Sequence, residues 1–298
     1  MRILITGGSG FIGQALCPVL LDQGHQIMVV SRRPQRAAKH LPREVEFRAS
    51  VAECVDFQPE VIINLAGEPI ANRRWSEARK AELLESRVGT TDALVALAKT
   101  LDQKPNVLIS GSAVGFYGDC GSETVTEDSG PGTGFAHELC AQWEAAARRA
   151  APYVDRLCVI RIGLVLDQPG GLLDRMVPPF RMGLGGRMGS GKQCMPWIHR
   201  QDMVRVIDWL INHPSADGVF NASAPNPVDN ATFSKALARH LNRPAMFPAP
   251  SWVLKTAFGE MSELMLEGAC MVPKKLLDAG FDFIYPELDQ ALADIVER

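Results

Sequence analysis

Thr6-Gly7-Gly8-Ser9-Gly10-Phe11-Ile12-Gly13 decides the fold. An apolar run at 2–6 precedes it, a helical pattern at 11–23 overlaps and follows it, and a second apolar run comes at 26–31. Gly7, Gly10 and Gly13 satisfy GxxGxxG, while Gly8, Gly10 and Gly13 satisfy GxGxxG. Either spacing makes a tight strand-to-helix turn and lets the backbone approach a pyrophosphate. The free N–H groups at the helix start then face that charge. Glycines alone would also suit a ligand-free turn. The strand before, the helix after and the second strand on schedule point instead to a dinucleotide, with residues 7–13 as its cradle.

The second strand ends in Val29-Val30-Ser31-Arg32-Arg33. A site for NAD(H) carries an acidic side chain here, which accepts from the ribose 2′-hydroxyl. Ser31, Arg32 and Arg33 offer a hydroxyl and two guanidinium groups, which suit a 2′-phosphate through charge-assisted hydrogen bonds. NADP(H) is therefore the expected cofactor. The competing reading is a loop with two solvated arginines.

Working outward, short runs rich in Val, Ile and Leu recur at 61–65, 107–110 and 157–162, with helical patterns at 75–100 and 135–150 between them. Strand and helix alternating in this way give a doubly wound α/β domain with a parallel sheet buried on both faces. The expected organisation is a Rossmann-like domain over 1–166 and a smaller, mostly helical substrate lobe over 167–298. Later segments are free to return to the sheet, with a helix at 202–212 and a short strand at 219–221. Composition agrees with an ordinary folded chain: 298 residues, 46% apolar, net charge −3. That near-neutral balance leaves no footprint for nucleic acid or anionic lipid. With no long apolar run and no signal-like start, the chain reads as cytoplasmic and not membrane-bound. The seven scattered cysteines show no CxxC pair and are expected as reduced thiols. The six histidines show no HExxH or His-x-His spacing, so no metal is expected.

Together with the glycine turn, three further stretches carry a resemblance: Asn64-Leu65-Ala66-Gly67-Glu68, Ser110-Gly111-Ser112-Ala113, and Phe116-Tyr117-Gly118. The chain resembles extended or atypical short-chain dehydrogenases/reductases. As a whole it is similar to the epimerase-family proteins, through Ser31-Arg32, Arg73-Arg74-Trp75, Ser86-Arg87, Pro196-Trp197-Ile198-His199, and a tail with Pro273-Lys274-Lys275 and Ala279-Gly280-Phe281. The resemblance implies an NADP-binding Rossmann domain with a C-terminal family domain from about residue 247. It also implies a cofactor lined by Leu65, Ala66, Gly67, Glu68 and Ser110. Arg87 falls where relatives carry an asparagine. It either reaches a phosphate or ribose, with Glu82 orienting it, or is a helix-surface cation.

The departure from that family concerns the proton. A free phenol is a poor base near neutral pH, so these enzymes use Tyr-x-x-x-Lys, in which the lysine lowers the tyrosine pKa. Four residues after Tyr117, Tyr153 and Tyr285 stand Gly121, Leu157 and Asp289. Aligning Trp143-Glu144 on the family helix puts Ala136 in the tyrosine slot and Cys140 in the lysine slot. The candidates left for catalysis are Ser112, Tyr117 and Glu138, with His137 beside the last. Glu138 would act as a buried carboxylate of raised pKa. Arg161 either contacts the ligand on the nicotinamide side or pairs with a carboxylate. Trp197 and His199 are candidates to wall a substrate pocket. The expected function is NADP(H)-dependent oxidation, reduction or epimerisation of a small organic substrate. The alternative is a non-catalytic sensor of NADP(H) acting through a protein partner.

Overall fold

Alternation along the first run sends Ile3 and Ile5 to one face of a sheet and Leu4 to the other, and all three are fully buried. That pattern needs cover on both sides. The computed structural model, which describes residues 1–297, supplies it. Seven parallel strands form the sheet: β1 (Arg2–Thr6), β2 (Gln26–Val30), β3 (Glu46–Arg48), β4 (Val61–Asn64), β5 (Val107–Ala113), β6 (Leu157–Ile162) and β7 (Gly218–Ala222). Their spatial order is β7-β6-β5-β4-β1-β2-β3. One face packs on helix α1 (Gly13–Asp22) through Leu16 and Leu20, and on a helix at Arg200–Asn212 through Met203 and Ile207. The other packs on Leu94, Val95 and Leu97 of helix α2 (Glu77–Ala98). The Rossmann-like expectation holds, and the long helical pattern at 75–100 is a 22-residue helix capped by Ser76.

The chain passes from β1 outward to β2 and β3, then returns to the opposite side of β1 as β4. Strand order reverses there, so a crevice opens above the carboxyl ends of β1 and β4, where open α/β sheets take ligands. Helix α3 (Phe135–Arg148) lies against α2 and β5 beside that crevice.

Beyond Leu166 a second core forms around Trp197, Phe180, Phe233, Leu288 and Leu292. The expected short strand near 219–221 is β7, which leaves this lobe to pair with β6 at the sheet edge. β3 escaped the sequence reading, because three residues, EFR, carry no apolar alternation.

One expectation is overturned. Cys194 and Cys270 form a disulfide across 76 residues of chain, so the thiols are not all reduced. The contact is made by folding: Gly268 passes so close to Cys194 that a Cβ there would lie 2.3 Å from the Cys194 carbonyl oxygen. Sequence spacing carries no trace of it. Among the described residues, no helix is long and apolar enough to cross a membrane, and no cluster of His, Cys, Asp and Glu could hold a metal.

Candidate functional site

The crevice above β1 and β4 is shaped by missing Cβ atoms. Gly7 has φ +75°, and a Cβ on it would lie 2.4 Å from the carbonyl oxygen of Leu65 at the end of β4. A Cβ on Gly8 would meet Val29 at 2.7 Å, and one on Gly13 would meet the Gly8 carbonyl oxygen at 2.3 Å. The turn closes by Gly10 N–H donating to the Gly7 carbonyl at 2.9 Å. Side chains are thus excluded at Gly7, Gly8 and Gly13, and the backbone there is free to face a ligand. Ser9 uses its carbonyl to accept from the Gln14 amide at 2.8 Å, and Ile12 is the α1 N-cap. Phe11 turns the other way. Its ring lies against Gly170 and Gly171 and under the Arg200 guanidinium at 4.8 Å, so it fastens the second lobe to the turn.

At the end of β2, Ser31 accepts from the Arg33 N–H at 3.3 Å, and the Arg32 guanidinium reaches across to Glu68 at 2.6 Å. Arg32 is 84% exposed, so the pair contributes little stability. Its hydrogen bond holds the Glu68 carboxyl below the usual carboxylate range, against a smaller effect of burial. Arg33 is exposed. Leu65 and Ala66 are half-buried along the crevice, and Gly67 is exposed.

Beneath the crevice runs a buried polar row. Thr6 donates to the Asn64 side-chain oxygen at 2.7 Å, and the Asn64 amide donates to Thr91 at 2.8 Å and to Ser110 at 3.4 Å. Ser110, expected to touch the cofactor, is fully buried within this row. Glu82 was expected to orient Arg87; its partners are Arg79, one turn back along the helix, and Arg73 in the loop before it, each at 2.8 Å. Arg87 is half-buried under Gly67, where a Cβ would come 2.9 Å from its Cζ, with its guanidinium 5.3 Å from the Trp143 ring.

The reaction-side candidates have found other partners. Ser112 is 2% exposed and donates to Glu144 Oε1 at 2.8 Å. Glu144, fully buried on α3, also takes Arg161 Nε at 2.8 Å, Arg161 Nη2 at 3.1 Å and Arg148 at 2.8 Å. Arg161 therefore pairs with a carboxylate. Burial, the largest single effect, would lower its pKa, yet Glu144 and Tyr117 together, through hydrogen bonds and charge, hold it above the ordinary value. The same guanidinium stacks on Phe116 at 3.4 Å and donates to the Tyr117 hydroxyl at 2.9 Å. That hydroxyl lies 2.7 Å from Asn221 Oδ1 and 2.9 Å from the Thr126 carbonyl, and burial pushes its pKa up, against the Arg161 hydrogen bond. Glu138, expected as a buried carboxylate, is exposed on the first turn of α3. The imidazole Nδ1 of His137 meets the Phe116 carbonyl at 2.7 Å. A carbonyl only accepts, so Nδ1 carries the hydrogen and Nε2 is left unprotonated in the neutral ring. Glu144 is the residue that sequence reasoning passed over. Its signal was a glutamate on the apolar stripe of α3, beside Cys140, Trp143 and Ala147.

Trp197 and His199, expected at a substrate pocket, are buried in structure instead. Trp197 is 0% exposed within the second core and donates from Nε1 to the Asn226 carbonyl. His199 caps the helix at Arg200–Asn212 through Nδ1, which accepts from Gln201 N–H at 3.1 Å, while Nε2 faces Asp294 at 3.1 Å. Two shallow hollows of about 380 and 410 Å³ lie around Trp209 and His213, near Gly218 at the amino end of β7 and away from the crevice. The crevice itself is bridged between lobes by the 67–76 loop. Arg175 donates to the Ala71 carbonyl at 2.6 Å, Arg74 donates to Ala257 at 2.6 Å, and Lys80 meets Glu260 at 2.7 Å.

A parallel sheet with this switch point and glycine turn defines a Rossmann-type nucleotide-binding protein. The sequence pattern called the NAD dependent epimerase/dehydratase family matches residues 3–223, and a domain of unknown function, DUF1731, matches residues 249–295. The chain belongs to this epimerase family. It is 38% identical to the mouse epimerase family protein SDR39U1 over 300 residues, covering 99% of this chain and 100% of the relative. It is 39% identical to the epimerase family protein Mb2239 of Mycobacterium bovis, covering 99% and 98%. The crystal structure of human SDR39U1 with NADPH superposes with a TM-score of 0.91 at 35% identity, covering all of both chains. The family expected from the sequence is the family found.

Proposed function

We propose that this chain binds NADP(H) and acts as an NADP(H)-dependent oxidoreductase or epimerase on a small organic molecule. The observation carrying the reading is the turn at Gly7 to Gly13, where backbone already fills the space a Cβ would need. The NADPH complex of the human relative supports the choice of cofactor. The turn N–H groups would hold the pyrophosphate, and Ser31, Arg32 and Arg33 the 2′-phosphate, with Arg32 exchanging Glu68 for it. Leu65, Ala66 and Gly67 would pack along the dinucleotide.

The bound cofactor supplies a hydride donor or acceptor at nicotinamide C4, and the protein supplies placement and polarisation. Among the candidates weighed for the proton, His137 keeps a ring nitrogen free, since Nδ1 is committed to Phe116 and Nε2 is not. A second reading, a non-catalytic NADP(H) sensor, is favoured by the Ser112 and Tyr117 hydroxyls being engaged with Glu144, Arg161 and Asn221.

Tryptophan fluorescence titrated with NADPH and with NADH tests the cofactor assignment: NADPH binds, NADH binds more weakly, and Arg32→Glu removes most of the difference. Equal affinity for both forms overturns the 2′-phosphate corner. A panel of carbonyl and alcohol compounds followed at the NADPH absorbance band then separates the readings. Turnover lost in His137→Ala supports the enzyme; no turnover across the panel supports the sensor.

A further inference from the structure

The exposed apolar side chains of this protein are not scattered. Of the ten large ones that stand in solvent among the described residues, six belong to two short stretches: Met182 and Leu184 in the first, Met246, Phe247, Trp252 and Val253 in the second. Met182, Met246 and Trp252 are 67%, 70% and 71% exposed. The fold brings the stretches together. Phe247 N–H donates to the Gly185 carbonyl at 3.2 Å, Ala249 N–H to the Arg187 carbonyl at 2.9 Å, and Gly189 N–H to the Ala249 carbonyl at 2.8 Å, so the two run side by side in one direction. Their inner side rests on the second core: Gly185 lies on the Phe180 ring, Ala245 packs against the same cluster, and Leu254 is buried. The exposed side chains are left on the outer side. Single apolar residues on a surface need no explanation, but a contiguous group marks an interaction site.

Charge says what that site meets. From 181 to 192 and from 243 to 256 the chain carries Arg181, Arg187, Lys192, Arg243 and Lys255, all exposed, and no aspartate or glutamate. None of the five is in an ion pair among the described residues: Arg187 donates to the Ser190 carbonyl, and Arg243 to the Arg181 and Asn242 carbonyls. Lys255 acts on Glu267, which lies outside both stretches, from beyond ion-pair distance. The net charge of −3, from which no lipid footprint was expected, averages this face with the rest of the chain. Apolar side chains ringed by cations suit an interface whose interior is hydrocarbon and whose edge is anionic. A protein partner would need a surface shaped to these protruding side chains, whereas a bilayer takes them without a matched shape.

We propose that this face is a docking surface for an anionic lipid bilayer: Met182, Leu184, Met246, Phe247 and Trp252 enter the headgroup and upper acyl region, and Arg181, Arg187, Lys192, Arg243 and Lys255 meet lipid phosphates. Such a protein lies on the membrane and does not cross it. The inference is independent of the cofactor assignment.

Binding of the intact protein is measured by co-sedimentation with vesicles of phosphatidylcholine alone and of equal parts phosphatidylcholine and phosphatidylglycerol. The protein should sediment with the anionic vesicles and stay in solution with the neutral ones, and added salt should release it. Trp252 reports insertion directly, since Trp75, Trp143 and Trp197 are buried and Trp209 is half-buried. Its emission should move to shorter wavelength on the anionic vesicles, and Trp252→Phe should remove that shift but not the sedimentation. Phe247→Glu with Trp252→Glu should abolish sedimentation and leave the melting temperature unchanged, because both side chains stand in solvent. Arg181→Gln with Lys255→Gln should weaken binding by about twentyfold, at about fivefold for each cation near an anionic leaflet. Failure to sediment with anionic vesicles overturns the proposal. So does equal binding to neutral vesicles, or sedimentation that survives Phe247→Glu with Trp252→Glu. A dimer seen by ultracentrifugation without lipid, and dissolved by the same two substitutions, would also overturn it and make the face a contact between copies of this chain.

Discussion

The glycine turn after β1 and the Ser112–Tyr117 segment after β5 sit at the same edge of one sheet, yet they are built in opposite ways. The turn is made of backbone and absent side chains. Its spacing is read within a span of seven residues, and two of its glycines, Gly10 and Gly13, are held close to atoms of the turn itself, while Gly7 and Gly8 are fitted against Leu65 at the end of β4 and Val29 of β2. The other segment is made of side chains held by distant partners: Glu144 is 32 residues from Ser112, and Asn221 is 104 from Tyr117. The first region is open to a ligand through its N–H groups. The second has turned its hydroxyls into a buried network with one carboxylate and one guanidinium at its centre. The two regions are thus under separate structural control and should respond differently to substitution.

The largest effect separating them is expected in the turn. Gly7→Ala places a Cβ 2.4 Å from a backbone oxygen at φ +75°. Strain of about 1–3 kcal/mol would be relieved by shifting the turn. A shift of that kind should weaken NADPH by about a hundredfold in a calorimetric titration, since misplacement by an ångström has that scale of effect. Near-normal affinity would show that the turn tolerates a side chain and does not cradle phosphate. Next in size is Glu144→Ala, which strands the buried Arg161. The loss of one partner of a buried pair costs about 3–5 kcal/mol, read as a large drop in melting temperature. NADPH affinity of the folded fraction should barely change. Melting unaffected by Glu144→Ala would break the comparison from the other side, since the network would then hold nothing together.

What could be read in advance follows the same division. The strands β1 and β6, the long helix α2 and the tight strand-to-helix turn were legible, because period and spacing are local properties. Arg32 was legible as a cation at the right strand end, but not its partner Glu68, which stands 36 residues away. Glu138 was read as buried and is exposed, while Glu144, two turns along, is the one inside; only the packing of α3 on β5 decides which glutamate faces inward. Trp197 and His199 were read as pocket walls because they lie together in Pro196-Trp197-Ile198-His199, where an indole beside an imidazole suits a small-molecule site. Their burial depends on the helix at Leu288–Val296, whose Asp294 is 95 residues along the chain from His199. The Cys194–Cys270 bridge depends likewise on distant chain, since Cys194 lies in a strand paired with Val228–Asp229 and Cys270 in one paired with Thr124–Val125.

A smaller effect is expected from Tyr117→Phe. The phenol accepts from Arg161 and lies against two acceptors, so its loss should cost about 1–2 kcal/mol, measured by denaturant unfolding, with NADPH affinity unchanged. The opposite pattern, unchanged stability with loss of turnover, would return Tyr117 to the reaction and remove the distinction between the two regions.

The smallest effect concerns His199 and fixes how the second lobe responds to acid. Its Nδ1 accepts from the Gln201 N–H, so that nitrogen must be unprotonated and the ring neutral while the helix cap is intact. Burial lowers its pKa from the ordinary value near 6.5, and the carboxylates of Asp167, Asp294 and Asp202 recover part of the shift. The unfolded chain therefore binds a proton more readily than the folded one. The contribution of His199 is fully present above about pH 6.5 and is lost as pH falls through that value toward the lower folded pKa. His25 is shifted in the same direction by burial and by the neighbouring N-terminal charge, so it has to be separated. Melting temperatures at about pH 7.5 and about pH 5.5 should fall between the two conditions in the wild type and in His25→Gln, and fall less in His199→Asn. An undiminished fall in His199→Asn would mean that the cap accepts a charged ring, which its hydrogen bond from Gln201 does not allow.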